Sequence, residues 1–168
     1  MPVPFKKDFN ITPSPSDMKE RDEILQNSYN NLIYFGRAFL PNDFLKKSES
    51  APFHYQIAKE LITTKPGARI CNIIPRGHGK SVMAKAAIMH KLCFSKTDEQ
   101  HFIAWVSEEQ GQAIDHLKYL RSHFENNKMI KYYFGTMDGG SVGKRWTEKD
   151  IVTAKGDRMI AKGTSQRL

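Results

Sequence analysis

Leu25, Tyr29, Leu32, Ile33 and Phe39 recur at helix-like spacings over a polar background, which predicts an amphipathic helix that must dock on another surface. Ahead of it, Pro2, Pro4, Pro13 and Pro15 predict an extended arm, with Ser14 or Ser16 capping the helix. Pro41 ends the helix, and Lys46-Lys47-Ser48-Glu49-Ser50 reads as an exposed loop. A second short helix is expected from residue 53 to about residue 63, with Ile57, Ala58, Leu61 and Ile62 facing inward.

The pattern then changes period. Residues 69–74, Arg-Ile-Cys-Asn-Ile-Ile, hold three β-branched positions between Pro66-Gly67 and Pro75, which predicts a buried strand. From Gly79 to about residue 94 the chain is rich in Ala, Met, Leu and Lys and predicts a helix. Phe102-Ile103-Ala104-Trp105-Val106 predicts a second strand. Strand, helix and strand in that order make a βαβ unit, whose strands should be parallel with a right-handed crossover. Ser107 and Gln110 have the spacing of a capping box, and Ala113, Ile114, Leu117, Leu120 and Phe124 give the following helix one apolar stripe. Beyond Asn126-Asn127 the chain reads as loop through Met137-Asp138-Gly139-Gly140. Residues 151–154 and 159–161, around Lys155-Gly156-Asp157, then predict a β-hairpin. The expected fold class is α/β, an open parallel sheet flanked by helices, with an N-terminal helical extension and a C-terminal hairpin. Residues 1–50 would form the arm and amphipathic helix, and residues 51–168 the α/β domain.

Composition narrows this picture only slightly. With 39% hydrophobic and 26% charged residues, the 168-residue chain has the balance of a soluble protein with one core. Its formal charge of +8 favours polyanion partners, nucleotides or nucleic acid, and equally describes a solvated basic surface. Cys71 and Cys93 lie in apolar stretches without CxxC spacing and are expected as reduced core residues. The histidines have no zinc-like spacing. No segment reads as a signal peptide or membrane span, so a cytoplasmic location is expected, and Asn10-Ile11-Thr12 is a chance glycosylation match.

The strongest chemical signal is Pro75-Arg76-Gly77-His78-Gly79-Lys80-Ser81, set between the first expected strand and its helix. A loop in that position can point successive backbone N–H groups into one concavity, and the helix N-terminus adds the positive end of its dipole. Gly77 and Gly79 allow tight turning, Lys80 can reach the β and γ phosphates, and the Ser81 hydroxyl can ligate Mg²⁺. Arg76 places a second cation beside the γ-phosphoryl group, or else is a surface arginine paired with an acid. The strict Walker A pattern asks for glycine where Ile74 stands, so the match is to a deviant form.

These residues resemble the ATPase motif of the large terminase subunits of tailed bacteriophages, which typically lack the first Walker glycine and carry an arginine there instead. Phe53-His54-Tyr55-Gln56 is similar to that family's adenine-side segment. Trp105-Val106-Ser107-Glu108-Glu109-Gln110 is similar to its strand-to-helix step, and Lys162-Gly163-Thr164-Ser165-Gln166-Arg167-Leu168 to the glycine-rich segment before Walker B. The resemblance spans residues 29–168. It implies a P-loop NTPase fold of the RecA-like ASCE type, incomplete here, with ATP and Mg²⁺ as cofactors. Gln56 would read the adenine edge, residues 75–81 would bind phosphate, Ser81 would hold the metal, and Arg76 and Lys80 would act in catalysis. From the residues alone, Gln56 is equally a polar position on an exposed helix face, and Phe53 and Tyr55 are packing residues.

The resemblance further implies a homo-oligomeric ring on the procapsid portal in the host cytoplasm, driving double-stranded DNA inward, with the portal protein and the small terminase subunit as partners. No apolar strand ending in Asp-Asp or Asp-Glu follows Ile74 or Val106, and no clustered acids suggest a nuclease. The chain alone is therefore expected to bind nucleotide without hydrolysing it. Two other readings stand beside this one: another P-loop protein, a helicase-like ATPase or a small-molecule kinase, and a truncated or split product that only binds nucleotide or associates with other proteins.

Overall fold

Asn31 divides the N-terminal helical pattern in two. The structure, a computed structural model, describes residues 18–44, 49–65, 67–96 and 98–164. In it α1 spans Met18–Asn30 and α2 spans Leu32–Phe39. Asn31 is extended, with φ −143°, and its side-chain oxygen accepts the Tyr34 N–H at 3.1 Å, which caps α2. One continuous helix was the simpler expectation; the Asn side chain competes for backbone donors and starts a new one. Pro41, expected as a stop, also begins α3, Pro41–Phe44, where its fixed φ suits the first helical position. The expected arm, its cap at Ser14 or Ser16, most of the 46–50 loop and residues 165–168 lie outside the described residues.

Contacts group the chain into two units, Met1–Lys91 and Leu92–Leu168. In the first, Leu32, Ile33, Phe35 and Phe39 from α2 are buried with Met83, Ala86 and Met89 of α5, Lys80–Phe94. The Phe35 and Phe39 rings lie 4.9 Å apart. His90 sits among them with Nε2 at 3.0 Å from the Ser28 carbonyl and 3.1 Å from the Tyr29 carbonyl, so that nitrogen carries the proton. Burial pushes the pKa of His90 down despite those carbonyls. Helix α4, Pro52–Thr63, buries Ile57 and Ala58, whereas Leu61 and Ile62 are only half-buried.

In the second unit three strands form one sheet in the order β1-β3-β2, with β1 at Phe102–Ser107, β2 at Asp150–Val152 and β3 at Arg158–Gly163. β1 runs parallel to β3, from Phe102 opposite Arg158 to Ser107 opposite Gly163, and β2 runs antiparallel to β3. The second expected strand and the hairpin are both present. Helix α6, Gln110–Asn126, buries Ala113, Leu117, Leu120 and Phe124, the stripe read from the sequence, leaving Ile114 half-buried.

Three expectations change here. Residues 69–74 belong to no strand, so the anticipated βαβ pair is not formed, and the parallel pair is β1 with β3 instead. Ser107 is the last residue of β1, and Glu109 stands at the cap of α6, so the Ser107–Gln110 capping box does not form. The stretch after Asn127 is helical: α7, Lys128–Phe134, starts where the Asn127 side chain accepts the Ile130 N–H at 3.1 Å.

The turn between β2 and β3 is tied down by side chains. The Lys155 ammonium donates to the carbonyls of Leu92, Cys93 and Ser95 at 3.2, 2.7 and 3.0 Å, which uses all three of its protons on carbonyls at and just past the end of α5. Gly139 approaches β2 so closely that an added Cβ would lie 1.7 Å from the Val152 carbonyl oxygen. Gly139→Ala should therefore displace β2 and cost about 2–3 kcal/mol. A denaturant midpoint equal to that of the unmodified protein would contradict this close approach.

Candidate functional site

The loop at residues 75–81 runs directly into α5, which begins at Lys80. Gly77 has φ +81° and Gly79 φ +73°, in the left-handed region that disfavours a side chain. Space is not the constraint, since an added Cβ would meet nothing at Gly77 and only ordinary contact, 3.6 Å to His54, at Gly79. Backbone angle is what requires glycine at both places. The loop curls ahead of a 15-residue helix whose first N–H groups have no acceptor within it, and the helix dipole adds positive potential there. Such a turn suits a phosphate group.

His54 buttresses the loop from α4. Its Nδ1 accepts the Ala51 N–H at 3.0 Å, so its proton sits on Nε2, which donates to the His78 carbonyl at 3.1 Å. His78 in turn places Nδ1 2.9 Å from the Arg76 carbonyl. The His54 ring thus fixes both the N-terminus of α4 and the crest of the loop, and the His78 ring braces the loop against itself.

Lys80 folds back over the loop, its ammonium donating to the Pro75 carbonyl at 2.8 Å and to the Ile74 carbonyl. Among the described residues no carboxylate forms an ion pair with Lys80 or Arg76, and both are exposed. An incoming anion would find two cations not neutralised by acids. Ser81, also exposed, is the second residue of α5. Among the described residues no cluster of three or more His, Cys, Asp or Glu could hold a metal ion. A magnesium ion here would take Ser81, water and phosphate oxygens, a set that suits its preference for hard oxygen ligands.

Beside the loop lies a cavity of about 430 Å³. Phe53, Gln56 and Glu60 line it from α4, and Asn72, Pro75 and His78 from the chain that enters the loop. Its volume is within the range of small-ligand sites. Gln56 thus shares a cavity with the loop, and its amide nitrogen donates to Glu60 Oε1 at 3.2 Å. The Phe53 ring lies 4.2 Å from that of His54 and 6.1 Å from that of His78.

Of the residues expected at the site, Gln56 on α4 lines the same cavity as Pro75 and His78, while Lys80 and Ser81 open α5. Sequence reading missed His54 and Glu60. The signal for Glu60 was its spacing of four from Gln56, which puts both on one helical face. The approach to the loop differs from expectation: Ile70 is 42% and Ile73 94% exposed, where a buried strand was expected.

Cys71 is also exposed, against the expectation of a core thiol, whereas Cys93 is buried and desolvation pushes its thiol up to about 12. At pH 8 a disulfide reagent should titrate Cys71 alone in the folded protein and both thiols after denaturation. Rapid reaction of both in the folded protein would be incompatible with a buried Cys93.

Comparison with known proteins gives no match to any family model, curated protein or solved structure.

Proposed function

We propose that this chain is the ATP-binding part of a terminase-like motor that moves double-stranded DNA into a procapsid. The arrangement that supports this reading is the pair of left-handed glycines at 77 and 79, with Arg76 and Lys80, which no described carboxylate pairs, beside a cavity lined by Gln56. Polyphosphate needs backbone donors, a mobile ammonium and a hard-cation ligand, and Gly77 to Ser81 supply these in sequence. The base would occupy the cavity, with Gln56 at its edge and Phe53 against its face. Arg76 would meet the γ-phosphoryl group from the loop itself. Double-stranded DNA, the portal protein, the small terminase subunit and a ring of like subunits follow from the resemblance, and the +8 charge suits the first of these.

None of the three described strands ends in the paired acids that would hold the metal and activate water. Binding without rapid turnover is the expected behaviour. The exposed run at 69–74 favours the neighbouring reading, a product that binds nucleotide and associates with other proteins but does no work alone. Calorimetric titration with Mg·ATP tests the common core of both readings: saturable binding is expected, no detectable heat refutes it, and brisk hydrolysis would refute the argument from missing acids.

A further inference from the structure

Gln56 and Glu60 occupy successive turns of α4, and both face the cavity next to the loop. The Gln56 amide nitrogen donates to Glu60 Oε1 at 3.2 Å. Carboxylate oxygens only accept, whereas an amide can present either its oxygen or its NH₂. A carboxylate at 60 therefore fixes which end of the Gln56 amide faces it. Turned the other way, the amide would set oxygen against oxygen and lose the bond.

We propose that Glu60 is a positioning residue that makes the cavity selective for 6-amino over 6-oxo purine nucleotides, an inference that rests on the nucleotide reading above. With one N–H committed to Glu60, Gln56 keeps its oxygen as an acceptor and its second N–H as a donor. Adenine offers the complement, an N6 amino donor beside the N7 acceptor. Guanine carries the O6 acceptor in place of that amino group, so the fixed amide oxygen would meet another acceptor with no proton between them. An unrestrained glutamine could turn over and donate to O6, and the selectivity would disappear. Discrimination therefore depends on the side chain that fixes the amide as well as on the amide itself.

Glu60→Gln is the direct test, because it keeps size and helix propensity at a partly exposed position while replacing an acceptor-only group with one that can pair in either sense. Affinities of Mg·ATP and Mg·GTP are measured by calorimetry for the unmodified protein, Glu60→Gln and Gln56→Ala. The unmodified protein should prefer Mg·ATP. Glu60→Gln should lose roughly tenfold of that preference, through weaker ATP and stronger GTP binding. Gln56→Ala should lower ATP affinity and abolish the preference. If Glu60→Gln keeps the original ratio while still binding ATP, or if the unmodified protein binds both nucleotides equally, the role of Glu60 is overturned and the nucleotide site stands. If the unmodified protein binds neither, the nucleotide reading fails and this inference fails with it.

Discussion

Replacing Lys80 with alanine is expected to weaken Mg·ATP binding by on the order of a hundredfold, or about 3 kcal/mol, the worth of charge-assisted hydrogen bonds to phosphate. The side chain is exposed, and among the described residues its ammonium is held by the loop carbonyls of Ile74 and Pro75. Those contacts are local and solvent-accessible, so their loss should leave the fold unaltered and confine the effect to binding. Swinging from carbonyls to phosphate is favourable because a dianionic oxygen cluster is the stronger acceptor. Lys80→Arg should bind with intermediate affinity, keeping the charge but misplacing it, since a planar guanidinium does not substitute for a compact ammonium. Equal affinity of the alanine variant and the unmodified protein in calorimetry would rule out the loop as the phosphate site.

The largest loss of stability is expected from Asp157→Ala, about 3–5 kcal/mol. Asp157 is fully buried, with Oδ1 accepting the His101 N–H at 3.0 Å and Oδ2 accepting the Thr153 hydroxyl at 3.0 Å. Thr153, itself fully buried, accepts the Asp157 N–H at 3.1 Å through that hydroxyl. One side chain therefore closes the turn between β2 and β3 and also holds the residue before β1. Removing it strands the buried Thr153 hydroxyl and the part-buried His101 N–H, at about 1–3 kcal/mol for a buried donor, and leaves a void. Asp157→Asn should cost less, because one acceptor oxygen survives while the NH₂ faces a donor. Chemical denaturation monitored by circular dichroism measures both losses. An alanine variant within 1 kcal/mol of the unmodified protein would mean water replaces the carboxyl without loss.

Elements that carry their own signal were legible in the sequence. The stripe of Ala113, Leu117, Leu120 and Phe124 predicted the buried face of α6, and the residues flanking Lys155-Gly156-Asp157 predicted the hairpin. Helix α7 was missed because Asn126-Asn127 reads as a turn. The same Asn127 is a helix cap, and only the following Met129, Ile130 and Tyr133, spaced to share one face, separate the two meanings. The strand expected at 69–74 failed for a different reason. A helix satisfies its own backbone, but a strand exists only where a neighbour supplies the other half of its hydrogen bonds, and no described strand pairs with this segment. At the candidate site, the glycine spacing was readable because backbone angle dictates residue type at Gly77 and Gly79. The roles of His54 and Glu60 depend on which helical turn faces the loop, and sequence alone does not reveal that.

Ile70 and Ile73, in a six-residue stretch whose single charge is Arg69, are exposed, and no described strand engages the backbone of the stretch. Two copies meeting at this stretch could pair edge to edge, because its composition is that of aggregation-prone segments. The opposing force is long-range repulsion from the net charge of +8. Added salt screens that repulsion over distances of about 10 Å at 0.1 M while leaving the apolar attraction intact. Colloidal stability of the purified chain is therefore expected to be greatest in dilute electrolyte and to decline in the concentrated salt that usually protects basic proteins from nonspecific loss.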